Sequence, residues 1–253
     1  VSIQLIVQAD DYGMCASVTD GILAAHLSGS VTQASIMVPA PDARRAMWLA
    51  GRQGLPLGVH LVLACEWEYW RYYPLTAASS LRVDDGAFPP GIAELRQQAD
   101  PAEVVAELEA QVAAVRLAGI EPTHVESHVR VYDPTVLARL AARWGVWCRD
   151  ELSPPVDPPL TTLWHLSTRP PSSKLADLLA HVRSLPDGLH MIVAHPAVDG
   201  PELQTLCRPD SRRWRWAREV RVTDLMALTD RAFATTCAEQ GVELVSLATL
   251  RVP

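Results

Sequence analysis

Ile3-Gln4-Leu5-Ile6-Val7-Gln8-Ala9-Asp10-Asp11-Tyr12-Gly13 is the stretch that decides how this chain is read. Ile3 to Ala9 is a short apolar run rich in β-branched residues, which predicts a buried strand. Two carboxylates, Asp10 and Asp11, end that strand, and Tyr12-Gly13 suits a turn. Outward from this stretch the pattern alternates. Val18 to Leu27 carries Val18, Ile22, Leu23 and Ala25 and predicts a helix. Gln33 to Val38 predicts a second strand, Asp42 to about Ala50 a helix, and Leu57 to Leu63 a third strand. Cys65 to Gln98 reads as a long irregular section studded with Pro, Gly and aromatic residues. Loops of this length inside a domain are usually functional or disordered.

Ala102 to Ala118 is the clearest helix, with Val104, Val105, Leu108, Val112 and Val115 on one face and Gly119 at its end. His124 to Ser127 predicts a fourth strand. Asp133-Pro134 opens a helix as N-cap and first residue. Val146 and Trp147 mark a short strand, Leu160 to Leu166 another, Ser173 to Arg183 a helix and Leu189 to Ala194 a strong strand. Leu225 to Gln240 reads as one helix, and Val242 to Leu247 closes the series. Strand-helix alternation through the chain predicts parallel strands covered by helices. The fold class is α/β, a single-domain (β/α) barrel over residues 1–253, whether closed or distorted and incomplete. An open doubly wound sheet is the alternative. The proline-rich run Ser153 to Pro159 could pass for a linker, but the alternation continues beyond it.

Composition narrows the function. Hydrophobic residues make up 49% and charged residues 20%, which suffices for a sizeable core. A formal net charge of −7 argues against nucleic acid as the main partner. The locally basic segment Arg208 to Arg221 reads as a solvated or substrate-covering loop. The five cysteines are widely spaced with no CxxC pair, which predicts reduced thiols in a cytoplasmic protein. Ile3 to Val7 is too short for the apolar core of a secretory leader. No apolar stretch approaches the ~20 residues of a membrane span, so no membrane partner is expected.

Several polar residues interrupt or end the apolar strands. Asp10 and Asp11 end the first, and His60 lies within Gly58-Val59-His60-Leu61. His124, Glu126 and His128 lie in and just after the fourth, and His195 follows Met191 to Ala194. In parallel α/β folds the active site forms at the C-terminal rim of the strands. Four distant strands therefore deliver carboxylates and imidazoles toward one place. Each residue alone has a plain structural reading. The aspartates suit a turn or helix cap, His60 a core histidine, and His124, Glu126 and His128 a hydrogen-bonded network. Their period-two spacing puts the last three on one face. Two adjacent half-buried carboxylates repel and call for a cation. Asp with two His is a mixed donor set typical of a catalytic metal site with open positions. Imidazole favours zinc or another transition metal over magnesium, which prefers oxygen.

These residues also carry a resemblance. Gln8-Ala9-Asp10-Asp11-Tyr12-Gly13 resembles the N-A-D-D-F-G opening of the YdjC-like carbohydrate deacetylases, a group that includes chitooligosaccharide and hopanoid-associated enzymes. Thr32 to Val38 resembles the family's second strand, and Gly58-Val59-His60-Leu61 its G-x-H-L element. Pro122-Thr123-His124-Val125-Glu126-Ser127-His128 resembles P-T-H-x-D-S-H. Ala194-His195-Pro196 resembles the late H-P element and Gly241 to Ser246 the closing strand. The resemblance implies a barrel-like fold related to polysaccharide deacetylases and hydrolysis of an N-acetyl group from an amino sugar. It implies one divalent metal, zinc or magnesium, on Asp11, His60 and His128. It implies Asp10 as general base and His195 as the acid or a group orienting it. His124 and Glu126 would stand behind the metal ligands.

The chain departs from the pattern at Tyr12, at Glu126 in place of Asp, and at Val129-Arg130 after His128. These departures bear on the substrate more than on the metal. The aromatic segment Glu66 to Thr76, with Trp67, Trp70 and Arg71, reads as a substrate rim, a homodimer contact or plain surface packing. Two other functions fit the same pattern. Metal-dependent phosphoester hydrolysis would call for a second metal and Lys or Arg clamps, and Lys174 is the only lysine. A sugar-binding protein that has lost turnover would keep the pocket without the chemistry.

Overall fold

Strand β1 (Ile3–Tyr12) is the axis of the sheet, and it has neighbours on both flanks. The computed structural model describes residues 2–130, 134–150, 157–213 and 215–250. After β1 come α1 (Ala16–Leu27), β2 (Gln33–Ile36), α2 (Ala43–Gln53) and β3 (Leu57–Leu61). Next are α3 (Ile92–Gln98), α4 (Pro101–Leu117), β4 (His124–Ser127), α5 (Pro134–Trp144) and β5 (Trp147–Cys148). The chain continues with β6 (Leu160–His165), α6 (Lys174–Arg183), β7 (Gly188–Ala194) and α7 (Pro201–Gln204). Helices α8 (Val220–Thr229) and α9 (Arg231–Glu239) and strand β8 (Val242–Leu244) follow.

All strand pairs are parallel, in the order β5-β4-β3-β2-β1-β7-β6. Strand β8 pairs with the start of β1 (Ile3 with Val242), while β2 pairs with its later part (Gln8 with Gln33). The two strands thus share one flank of β1 in succession, opposite β7. No β5–β6 pairing closes the ring among the described residues, so the barrel is an incomplete one.

Side-chain alternation sorts the strands into two faces. On β1, Leu5, Val7 and Ala9 join the large core, which also holds Val18 and Ile22 of α1 and Ala46 and Ala50 of α2. Ile6 joins a smaller cluster with Trp147, Leu189, Met191 and Val193, residues of β5 and β7. That cluster closes the inside of the half-barrel. Further along the same face of β1 come Gln8 and Asp10. Gln8 accepts from Gln33 of β2 at 2.6 Å and donates to Asp10 at 3.2 Å. The interior therefore grades from apolar to polar toward the C-terminal strand ends.

The structure corrects the sequence expectation in several places. The single helix expected over Leu225 to Gln240 is two helices, and the first begins earlier, at Val220. Asp230 breaks them with extended backbone, and its side chain caps α9 by accepting from the Ala232 N–H. The section expected to be irregular contains α3. Its remainder is tied down by a buried carboxylate, since Glu107 of α4 accepts from the Leu75 and Thr76 N–H groups. His124 begins β4 and so lies deeper than the rim. The Asp133 cap lies outside the described residues, as do residues 153–156 of the proline-rich run.

Candidate active site

Asp10 and Asp11 are consecutive residues of β1 that both line one cavity of about 580 Å³. In a regular strand they would face opposite sides. The register between β1 and β2 shifts between Ala9 and Tyr12, and Asp11 adopts a left-handed φ of 70°. It is the one such non-glycine residue among those described. A bulge of this kind re-aims side chains, and left-handed backbone at such a residue marks a place where the surroundings hold strain.

Three donor atoms meet at the cavity floor. Asp11 Oδ1 lies 3.2 Å from His60 Nε2 and 3.3 Å from His128 Nδ1. The two imidazole nitrogens are 3.2 Å apart. Asp11 Oδ1 is buried and has no hydrogen-bond partner. Zinc–ligand bonds of about 2.0–2.2 Å put neighbouring ligand atoms roughly 2.8–3.6 Å apart, so this triangle fits a metal ion. The far side of each imidazole is anchored by a carboxylate. His60 Nδ1 meets Glu126 Oε1 at 3.0 Å, a pairing set by the register of β3 with β4, and His128 Nε2 meets Glu66 Oε2 at 3.0 Å. Each ring that donates its outer N–H to a carboxylate presents an inner lone pair to the centre.

The electrostatics agree with this geometry. Asp10, Asp11, Glu66 and Glu126 face two guanidiniums, Arg149 and Arg221, which leaves two negative charges beside the histidines. Burial opposes charge on His60, but Asp10, Asp11 and Glu126 outweigh it and push its pKa up to about 9. Burial likewise opposes charge on His128, and Glu66 with Asp11 pushes it up to about 10. Both rings answer the surplus negative charge by attracting protons, where a dication would serve equally. Burial would raise the Asp11 carboxyl, yet Arg221 at 2.7 Å and the two imidazoles hold it well below the usual range.

Asp10 is differently placed. Both of its oxygens are engaged by Arg149, each at 2.7 Å, and Ser35 Oγ donates at 3.2 Å. Burial alone would favour its neutral form; Arg149 and His60 reverse this and keep it ionised. A second potential ligand group, Asp10, His60 and Glu126, shares His60 with the first. Behind it His124 Nε2 stands 3.3 Å from Glu126 Oε2, with its Nδ1 on Thr123 Oγ1 at 2.7 Å. His195 follows β7, lines the cavity and packs edge-on against Trp216 with ring centres 5.6 Å apart. Burial pulls its pKa down to about 4, so the ring is neutral at neutral pH.

The structure thus gathers Asp10, Asp11, His60, His128 and His195 around one cavity, with His124 and Glu126 beneath it. Of the aromatic segment, Trp67 lines the cavity while Trp70 and Arg71 do not. Trp70 donates to Thr205 Oγ1 at 2.9 Å, and Arg71 braces its own loop through Asp85 at 2.9 Å. Arg149 escaped the sequence reading, and Glu66 and Arg221 entered it only as the ends of the aromatic and basic segments, without their pairing to His128 and Asp11. Arg149 had a usable signal, a charged residue directly after the short strand Trp147–Cys148. Arg221 had the signal of the basic segment it ends, but it lies in α8 rather than in a loop. Trp216 and Arg213, from the basic segment Arg208 to Arg221, also line the cavity.

The half-barrel with a polar mouth is an architecture with solved counterparts. A proposed cellobiose-phosphate cleavage protein from Enterococcus faecalis V583 superposes with a TM-score of 0.79 at 23% identity, covering 98% of this chain and 99% of the other. A family 4 carbohydrate esterase from Streptomyces lividans, solved with acetate, superposes with a TM-score of 0.51 at 12% identity, covering 99% and 97%. At these identities the likeness concerns the fold alone, an α/β half-barrel of parallel strands. The chain belongs to the YdjC-like protein family, whose model matches residues 4–239. A carbohydrate deacetylase from Thermus thermophilus is 32% identical over 225 residues, 80% of each chain. Another from Geobacillus stearothermophilus is 30% identical over 251 residues, 95% of each chain. No helix among the described residues is long and apolar enough to cross a membrane.

Proposed function

We propose that this chain is a metal-dependent carbohydrate deacetylase that removes an N-acetyl group from an amino sugar or oligosaccharide. The observation that carries the reading is the triangle of Asp11 Oδ1, His60 Nε2 and His128 Nδ1, with sides of 3.2–3.3 Å, beside the ionised Asp10. The family's carbohydrate deacetylases support the reaction class. Asp11, His60 and His128 would hold one divalent ion, zinc by donor chemistry and magnesium as the alternative. Such an ion polarises a carbonyl and acidifies water.

The residues of the chain do the rest. Asp10 accepts a proton from the attacking water, held ionised and fixed in direction by Arg149. A carboxylate so stabilised is a weak base, which suits a water already made acidic. The proton then moves from Asp10 to His195, neutral at rest. The transient imidazolium, disfavoured by burial, gives it to the leaving amine as the C–N bond breaks, which returns Asp10 to its ionised form. The water's proton ends on the amine, and the products are acetate and a free amino sugar. Trp216, half-exposed at the cavity, supplies a flat apolar wall for a sugar face, whereas Trp67 is buried with the Arg221 guanidinium over its ring.

Phosphoester hydrolysis fits less well. It would draw on the second ligand group, whose Asp10 is already held at both oxygens by Arg149. Of the cationic side chains at the cavity floor, Arg149 and Arg221 are already paired with Asp10 and Asp11, and the only lysine lies away from the cavity. The test is acetate release from N-acetylated amino sugars and chito-oligomers by metal-stripped protein, before and after zinc or magnesium is restored. Release that returns with the metal supports the deacetylase. Sugar binding with no release under either metal would replace it with a binding protein.

A further inference from the structure

Lys174 is the only lysine in the chain, and it is 1% exposed. It is the first residue of α6. Its ammonium donates to Asp224 Oδ1 at 2.6 Å and to the Val220 carbonyl at 2.9 Å, both on α8. Asp224, also fully buried, spends its other oxygen elsewhere. Asp224 Oδ2 accepts from the backbone N–H of His195 at 2.8 Å.

That N–H has no ladder partner of its own. The pairing of β1 with β7 ends at Ala9 and Ala194, one residue before His195. A buried amide without a partner is costly, and Asp224 removes the problem. The carboxylate does not touch the imidazole, whose Nδ1 has no partner. The ring is directed by its backbone and by the edge-on contact with Trp216. Stability alone does not account for an ion pair here. Replacing a buried pair with apolar groups of similar size is often neutral or stabilising, whereas a charged pair fixes one geometry.

We propose that Lys174 is a positioning residue for His195: by pinning Asp224 it holds the His195 backbone and so aims the imidazole into the cavity. This rests on the reading of His195 as the group that protonates the leaving amine. The chain of contacts runs from α6 through α8 to the end of β7, and it reaches the cavity without any group of the metal site.

Two readouts test it on the metal-loaded protein with Lys174→Met, Lys174→Arg and the double variant Lys174→Met with Asp224→Asn. The first is amide hydrogen exchange at His195, which needs no substrate. Lys174→Met should speed exchange there by tenfold or more and leave Ala9 in β1 unchanged. The double variant, which keeps an acceptor without an orphan charge, should restore most of the protection. The second is the turnover of the best N-acetylated chito-oligomer. Lys174→Met should lower kcat about tenfold with KM and zinc affinity unchanged, and Lys174→Arg should recover part of it. Unchanged exchange at His195, or a loss of kcat that neither partner variant rescues, overturns the positioning role. His195→Ala separates this failure from that of the underlying reading. If His195→Ala keeps full turnover, His195 is not the acid and the proposal falls with it. If His195→Ala is inactive while Lys174→Met is not, only the positioning role fails.

Discussion

Asp10 and Asp11 stand next to each other in the chain and nevertheless face the same cavity, because the backbone of Asp11 is left-handed, at φ 70°. The bulge separates their tasks. Asp10 turns both oxygens to Arg149, while Asp11 offers one oxygen to Arg221 and the other to the two histidines. Asn tolerates left-handed backbone far better than Ala. Asp11→Asn and Asp11→Ala should both lose the metal. Asp11→Ala should be the less stable by about 1 kcal/mol, seen as a Tm some 2–4 °C lower in a chain of this size. Equal melting temperatures would mean that the turn stores no strain.

Arg149 is expected to matter for turnover and not for the metal. Arg149→Lys keeps a charge but cannot grip both oxygens of Asp10. Arg149→Met leaves a buried carboxylate unpaired, which favours its neutral form and removes the base. Asp10→Asn removes it directly. Turnover should fall about 100-fold or more in Arg149→Met and Asp10→Asn, and less in Arg149→Lys, with zinc affinity retained. Near-normal turnover in Asp10→Asn would rule Asp10 out as the base.

Metal binding should release protons. In the metal-free protein His60 and His128 have pKa values raised to about 9 and about 10, so at pH 7 both rings hold a proton. A metal must displace those protons, so affinity falls as pH falls and rises toward pH 10. Calorimetry in buffers of different ionisation enthalpy should count about two protons released per ion at pH 7. Glu66→Gln and Glu126→Gln should weaken binding roughly 10- to 100-fold. Release of no protons would mean that the ion binds elsewhere.

Gly58 is required by what stands opposite it. A Cβ there would lie 2.4 Å from His124 Nε2 and Cε1. That ring is fully buried and tied at its other nitrogen to Thr123 Oγ1, so it has nowhere to move. Gly58→Ala should cost about 1–3 kcal/mol by overpacking. It should also weaken metal binding, because Glu126 leans on His124 at 3.3 Å. A melting curve that matches the unmodified protein would contradict this.

Much of this was legible from one strand. The run Ile3 to Ala9 with its terminal carboxylates announced a buried parallel strand, and the polar residues at other strand ends announced the same rim. Period-two spacing placed His124 and Glu126 on one face, and the β3–β4 register then brought Glu126 to His60. The bulge was not legible, because a register shift depends on the partner strand. The aromatic and basic segments that end at Glu66 and Arg221 were legible as possible substrate contacts. The pairing of Glu66 with His128 and of Arg221 with Asp11 was hidden for a similar reason: the loop and the helix that carry them reach the cavity only through tertiary packing. Trp70 and Arg71 show the converse, since an aromatic-rich stretch can serve its own loop.

The assignment of Asp11, His60 and His128 as one metal site is tested most directly by a crystal structure of the zinc-loaded protein with anomalous scattering. One strong peak is expected about 2.0–2.2 Å from Asp11 Oδ1, His60 Nε2 and His128 Nδ1 together. A peak among Asp10, His60 and Glu126 instead, or none at all in protein shown to bind zinc, would contradict it.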